Sequence, residues 1–209
     1  MIPSTALYSF DFVLCMDYTE KISPLGNDLK NLPEKISLRL AELTGSLYKA
    51  IKQVRVALVV GGYATPFFSI TEDKKQLKAE LEKIVPTADP NPVTSLFRAM
   101  QADWIQVPKG EKRKHAIIML TDAEPDFSHV PETCPKDLPA FSRMWENSGD
   151  GMASAMSFKH KKLFLMIPED KASAWADFYK LNQVSPEVLT DVPVSEDSLA
   201  DRFASQLIF

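Results

Sequence analysis

The strongest constraint in the chain is a nearly unbroken apolar run at 8–16 that ends at Asp17. Only Ser9 and Asp11 interrupt it. A strand that is apolar on both faces must be covered on both, as in a mostly parallel sheet. Three more apolar stretches of strand length follow, at 54–60, 115–120 and 163–167. Between them apolar residues return at helical spacing. Ile36, Leu40, Leu43, Leu47, Ala50 and Ile51 predict a helix over 33–52, with Pro33 in its first turn. Leu77, Leu81 and Ile84 predict a helix capped by Thr71, and Leu96, Phe97 and Met100 one that opens at Thr94. Helices over 138–147 and 172–181 and a last helix capped by Ser195 complete the set. The residues 67–70 read as a short antiparallel edge strand and 188–190 as a brief closing one. This alternation predicts an α/β fold: a doubly wound, mostly parallel central sheet with one short antiparallel edge strand and helices on both faces. A length of 209 residues, without repeat or linker, suits one domain over 1–209.

Charge and cysteine usage narrow the function classes. Net charge is −4, which disfavours nucleic acid as a partner, since phosphate binding needs a basic face. The basic run at 109–114 is expected as a solvated loop before a strand. Cys15 is expected in the core and Cys134 in a Pro-rich loop; two cysteines make neither a disulfide framework nor a metal-ligand spacing. The N-terminal residues lack the pattern of a signal peptide, and no apolar run approaches the roughly 20 residues that span a bilayer. A cytoplasmic protein with no membrane contact is the expectation.

Three strand-to-helix loops carry the polar residues of interest. The first holds Asp17, Thr19 and Lys21, the second Thr94, and the third Asp122 and Glu124. In open α/β sheets ligands sit at the carboxyl ends of the strands, where these loops would meet. Two carboxylates and two hydroxyls at one rim suit a hard cation, and Mg²⁺ takes oxygen ligands while keeping several waters. Taken singly, Thr94 also suits a helix N-cap and Asp122 a turn.

Together the three loops resemble the von Willebrand factor A domain family. Asp17-Tyr-Thr19-Glu-Lys21 stands where that family has Asp-x-Ser/Thr-x-Ser, the start of its metal-ion-dependent adhesion site. Thr94 precedes Ala99-Met100 as the family's Thr precedes Ala-Leu, and Thr121-Asp122-Ala-Glu124 stands for its Thr-Asp-Gly-Glu turn. The pattern is similar to bacterial cytoplasmic members of the tellurite-resistance TerY type, which would imply a stress-response setting. The resemblance implies a protein-binding module rather than an enzyme. Its metal residues would be Asp17, Thr19, Thr94 and Asp122, and its partner would supply an acidic residue at the rim. Mg²⁺ stays open as a cofactor, because Lys21 replaces the second hydroxyl and an ammonium has no lone pair for a cation. Three arrangements follow: Lys21 turned outward with Mg²⁺ still bound, the Lys21 ammonium set between Asp17 and Asp122, or a decayed site whose polar groups cap helices.

Two alternatives come from other classes. One is a Mg²⁺-dependent hydrolase or phosphatase using Asp17 and Asp122, although Thr19 stands where a haloacid dehalogenase-type phosphatase needs its second Asp. The other is a structural subunit of a larger bacterial assembly; the protein is expected as a monomer or within a hetero-complex. The irregular stretch 126–162 leaves the sheet at the same rim. Its Phe127, Phe141, Met144, Trp145, Met152 and Met156 either cover the domain's own helices or form a partner surface. Partner contact is assigned to Lys21, Glu124, Phe127 and Trp145.

Overall fold

The computed structural model describes residues 6–46, 49–104, 112–147, 161–176, 188–189 and 196–208. Strand β1 (Ala6–Met16) lies at the centre, parallel to β2 (Lys49–Val60) on one side and to β5 (Lys112–Leu120) on the other. Two short strands, β3 (Tyr63–Ala64) and β4 (Phe68–Ser69), pair antiparallel with β2. Beyond β5 come β6 (Lys161–Pro168) and β7 (Val188–Leu189), both parallel to their neighbours. The order β3-β2-β1-β5-β6-β7 turns outward in both directions from β1. The crevice between the carboxyl ends of β1 and β5 is therefore the topological switch point.

Helices cover both faces. Helices α1 (Ser23–Leu29), α2 (Leu32–Ser46), α3 (Lys74–Glu82) and α6 (Glu196–Ile208) lie over Phe10, Phe12, Leu14 and Met16 of β1. Helices α4 (Pro92–Met100) and α5 (Leu138–Asn147) lie over Val13 and Cys15. The period of two in β1 thus feeds two separate cores, as expected for a strand buried on both faces. Both cysteines are free and buried, so Cys134 is anchored in the second core and its loop is not a loose one.

Several expected boundaries move. The predicted helix over 33–52 stops at Ser46, and Ala50 and Ile51 pair in β2 with Leu7 and Tyr8. Their apolar side chains fit either period, and pairing with β1 decides for the strand. Thr71 caps nothing: α3 starts at Lys74, and the Asp73 carboxylate accepts from the Ser69 amide instead. Helix α4 opens two residues before Thr94, with the Asn91 side chain accepting from the Thr94 amide as its cap. The second antiparallel strand, β3, is absent from the sequence reading because two residues carry no period. For the predicted helix 172–181, residues 172–175 are turns and 177–181 lie outside the described residues, as do Ser195 and Thr190. The stretch 126–162 contains α5, and its residues 148–160 are likewise outside.

The described part of the basic run, 112–114, differs most from expectation; 109–111 lie outside the described residues. Lys112, Arg113 and Lys114 belong to β5 and pair with Tyr8, Ser9 and Phe10 of β1. Arg113 is buried because Asp11 is buried beside it: Nη1 donates to Asp11 Oδ1 at 2.6 Å. Arg55 of β2 holds the same carboxylate through Nε (2.9 Å) and Nη2 (2.6 Å). His115 Nε2 lies 3.7 Å from Asp11 Oδ2, and the Trp104 ring packs on His115 at 5.0 Å between centroids. Each strand of the central trio thus contributes one charge to a buried network. Removing Asp11 leaves two guanidiniums facing one another without their anion. Asp11→Ala is expected to lower unfolding free energy by about 3–5 kcal/mol in urea titration. Arg39→Ala, which removes an exposed partner of Glu42 and Asp201, is expected to change little.

Candidate functional site

The pairing of β1 with β5 runs one bond beyond the end of β1. Asp17 N donates to Leu120 O at 3.0 Å, and Thr121 N donates to Met166 O at 3.1 Å. Asp17 and Asp122 are therefore delivered side by side at the switch point. Tyr18 is turned into the core, where its ring packs so closely on α1 that a Cβ on Gly26 would lie 2.1 Å from Cζ. Glycine at 26 is required by that approach, and the approach anchors the first loop. The second loop is tied to the first by Thr87 N donating to Tyr18 O at 2.9 Å.

Asp17 is buried, and its two oxygens differ. Oδ2 accepts from Ser95 Oγ at 2.7 Å and from the Asn91 amide at 3.1 Å, both from the start of α4. Oδ1 is buried and has no hydrogen-bond partner. Thr94 Oγ1 is in the same condition. Asn91 already caps α4 through the Thr94 amide, so the Thr94 hydroxyl is not spent as an N-cap. Asp122 is satisfied differently: Thr19 N donates to Oδ1 at 2.8 Å and Thr19 Oγ1 donates to Oδ2 at 2.5 Å. Giving its proton to Asp122 leaves Thr19 Oγ1 with lone pairs, one of which faces the Lys21 amide at 3.3 Å.

A buried polar atom without a partner is costly and calls for an explanation. Here two oxygens, a carboxylate and a hydroxyl, are orphaned at the edge where ligands bind in this architecture. The donor set is all oxygen, and among the described residues no group of three or more His, Cys, Asp and Glu side chains could hold a metal. An all-oxygen donor set is the kind a hard cation takes, and the orphaned oxygens of Asp17 and Thr94 are the candidate ligands, with Thr19 and Asp122 beside them.

Lys21 sits in a short 3-10 turn (Glu20–Ile22), exposed, and no ion pair joins it to Asp17 or Asp122. A second lysine, Lys171, reaches the third loop from the turn after β6. Its ammonium pairs with Glu124 at 3.1 Å, and that hydrogen bond raises its proton affinity, with Asp170 and Asp122 adding to it. Trp175 Nε1 donates to Ala123 O at 3.1 Å, so the third loop is clamped from the β6 side. Phe127 is partly buried, edge-on to Phe141 of α5. The Trp145 side chain lies outside the described residues, as do Met152 and Met156.

Ser95, Asn91 and Lys171 are not singled out by the sequence pattern. Ser95 follows a motif residue and reads as an ordinary helix position. Asn91 lies in a loop with two prolines; its position just before Pro92 was the one available sign of a cap. Lys171 comes from a strand that carries no motif.

Burial pushes the Asp17 carboxyl above its ordinary value of 3.8, against the hydrogen bonds from Ser95 and Asn91 and with help from the charges of Asp122 and Asp89. The folded chain then holds this proton to higher pH than the unfolded chain. Stability falls as pH rises from 3.8 through the raised value, and the lost part stays lost at neutral pH. Asp17→Asn keeps an oxygen for Ser95 and removes the charge. It is expected to raise the thermal midpoint at neutral pH in metal-free buffer, with the gain shrinking as pH falls toward 3.8. A loss at neutral pH would instead mark Asp17 as a stabilising charge.

No family model matches the sequence, and no curated protein matches it. Solved structures do match in fold. A von Willebrand factor type A protein from Catenulispora acidiphila aligns over 97% of this chain at 10% identity and a TM-score of 0.52. This chain spans 42% of that protein's length. The SpRpn10 VWA domain aligns over 93% of this chain and 94% of its own, at 10% identity and a TM-score of 0.55. Among the described residues no helix is long and apolar enough to cross a membrane. The chain has the fold of the von Willebrand factor A domains, with a mostly parallel sheet, antiparallel short strands at one edge and helices on both faces.

Proposed function

We propose that this chain is a protein-binding module of the von Willebrand factor A type, working alone or within a hetero-complex. Its binding rim is formed by the loops of Asp17, Thr94 and Asp122. The rim takes a divalent cation, Mg²⁺ by its chemistry, and takes it weakly. The observation that supports this reading is the pair of buried, partnerless oxygens, Asp17 Oδ1 and Thr94 Oγ1. Weakness follows from Lys21, which brings a positive charge in place of a third oxygen ligand.

An acidic side chain of the partner would complete the site, either beside the cation or on the exposed Lys21 ammonium. Lys21 and Glu124 stand at the solvent edge, and Phe127 extends the surface toward α5; Trp145 is assigned to this surface on its sequence position alone. A binding role is preferred to catalysis because both oxygens of Asp122 are engaged by Thr19, which suits a holder better than a general base. A bacterial cytoplasmic setting, and a link to stress response of the TerY kind, belong to the same proposal and rest on the motif pattern.

Titration calorimetry with Mg²⁺ is expected to give weak binding for the native chain, tighter binding for Lys21→Ser, and none for Asp17→Ala. Tight binding by the native chain would overturn the weakened site, and no response in Lys21→Ser would remove the cation. A photo-crosslinker at position 21 is expected to capture an acidic segment of a partner protein in the native host. Turnover of phosphate esters or nucleotides that Asp17→Ala abolishes would replace the binding role with a hydrolase.

A further inference from the structure

A second surface, sharing no residue with the rim, lies where the start of α2 meets α3. It is a cleft of about 310 Å³. Its floor is apolar: Ile70, Leu77 and Leu81 each keep a little exposed area there, although they belong to the first core. Its walls carry Lys30, Lys74 and Lys78 against a single lining carboxylate, Glu34.

The charges at the cleft are unevenly matched. Lys74 is paired with Glu34 at 2.7 Å, both side chains being exposed. Among the described residues Lys78 pairs with Glu82 alone, at 4.0 Å and outside the cleft lining. Lys30 joins no ion pair among the described residues, so it and Lys78 stand beside an apolar floor with little local compensation, on a chain whose net charge is −4. The first turn of α2, with Asn31, Pro33 and Glu34, forms one wall, and a helix start favours negative charge.

We propose that this cleft docks an acidic peptide segment of a partner protein, one that places a branched apolar side chain on the Ile70–Leu77–Leu81 floor. Carboxylates on either side of that residue pair with Lys30 and Lys78. The volume, at the low end for ligand sites, admits one or two side chains, and a peptide supplies the flanking charges that a small apolar molecule lacks. The lysine stems add apolar area along the walls while their ammonium groups stay in water. Binding here is independent of the rim and needs no cation.

The probe is a short capped peptide of alternating Glu and Leu, with a Lys–Leu peptide of the same length as control. Titration followed by NMR is expected to shift Ile70, Leu77 and Leu81 saturably with the acidic peptide alone. Charge reversal at the half-buried Lys30 and the exposed Lys78, Lys30→Glu with Lys78→Glu, is expected to weaken binding by about tenfold or more, and added salt to weaken it as well. Asp17→Ala is expected to leave it unchanged, which separates this surface from the rim. Equal binding of the Lys–Leu peptide, an unaffected charge-reversal variant, or a response to anionic phospholipid vesicles with none to the peptide would each overturn the proposal.

Discussion

The parallel pairing of β1 with β5 is the contact on which the rest of this structure depends. It sets Met16 opposite Leu120 and carries on for one hydrogen bond past the end of β1. That extra bond places the Asp17 and Asp122 loops at one height. Every other feature of the rim is arranged around them: α4 arrives with Ser95 and Asn91 for Asp17, and Thr19 reaches across to Asp122. A slip in this register would send the two carboxylates to different faces of the sheet.

The rim is built from neutral donors. Hydroxyls and amides satisfy three of its four carboxylate oxygens, and among the described residues no side-chain cation is paired with either acid. This is an unusual choice for buried negative charge, which is normally paired with a cation. It leaves the site electrically hungry while keeping it rigid. Lys171 sits close enough to feel Asp122 but spends its hydrogen bond on Glu124. Positive charge is thus held at the border of the site and kept out of its centre.

Much of this was legible in the sequence, and the limits are physical. The apolar strands and their order were readable because a strand buried on both faces needs a continuous apolar run. Asp17 and Asp122 were readable as residues just past strand ends, and Thr94 as one in the first turn of a helix. The role of Thr94 was less so, because a threonine before a helix fits a cap equally well; only Asn91 taking the cap frees its hydroxyl. Arg113 was misplaced for a related reason. A basic run reads as solvated unless a buried acid elsewhere calls for it, and Asp11 lies far away in sequence. Charges matched across strands leave no local signal. The end of α2 was unreadable because Ala50 and Ile51 satisfy both periods, and only the partner strand chooses.

The Asp11 network has a consequence for how this chain can change over generations. Three strands each donate one member, and any single replacement by an apolar residue strands a buried charge. The neutral route needs coordinated exchange of Asp11, Arg55 and Arg113, so these positions should drift as a block or hardly at all. Lys21 is exposed and its side chain pairs with nothing among the described residues, so a single step can alter it without disturbing the scaffold. The sheet around Asp11 is chemically constrained, whereas Lys21 is the member of the first loop most open to exchange.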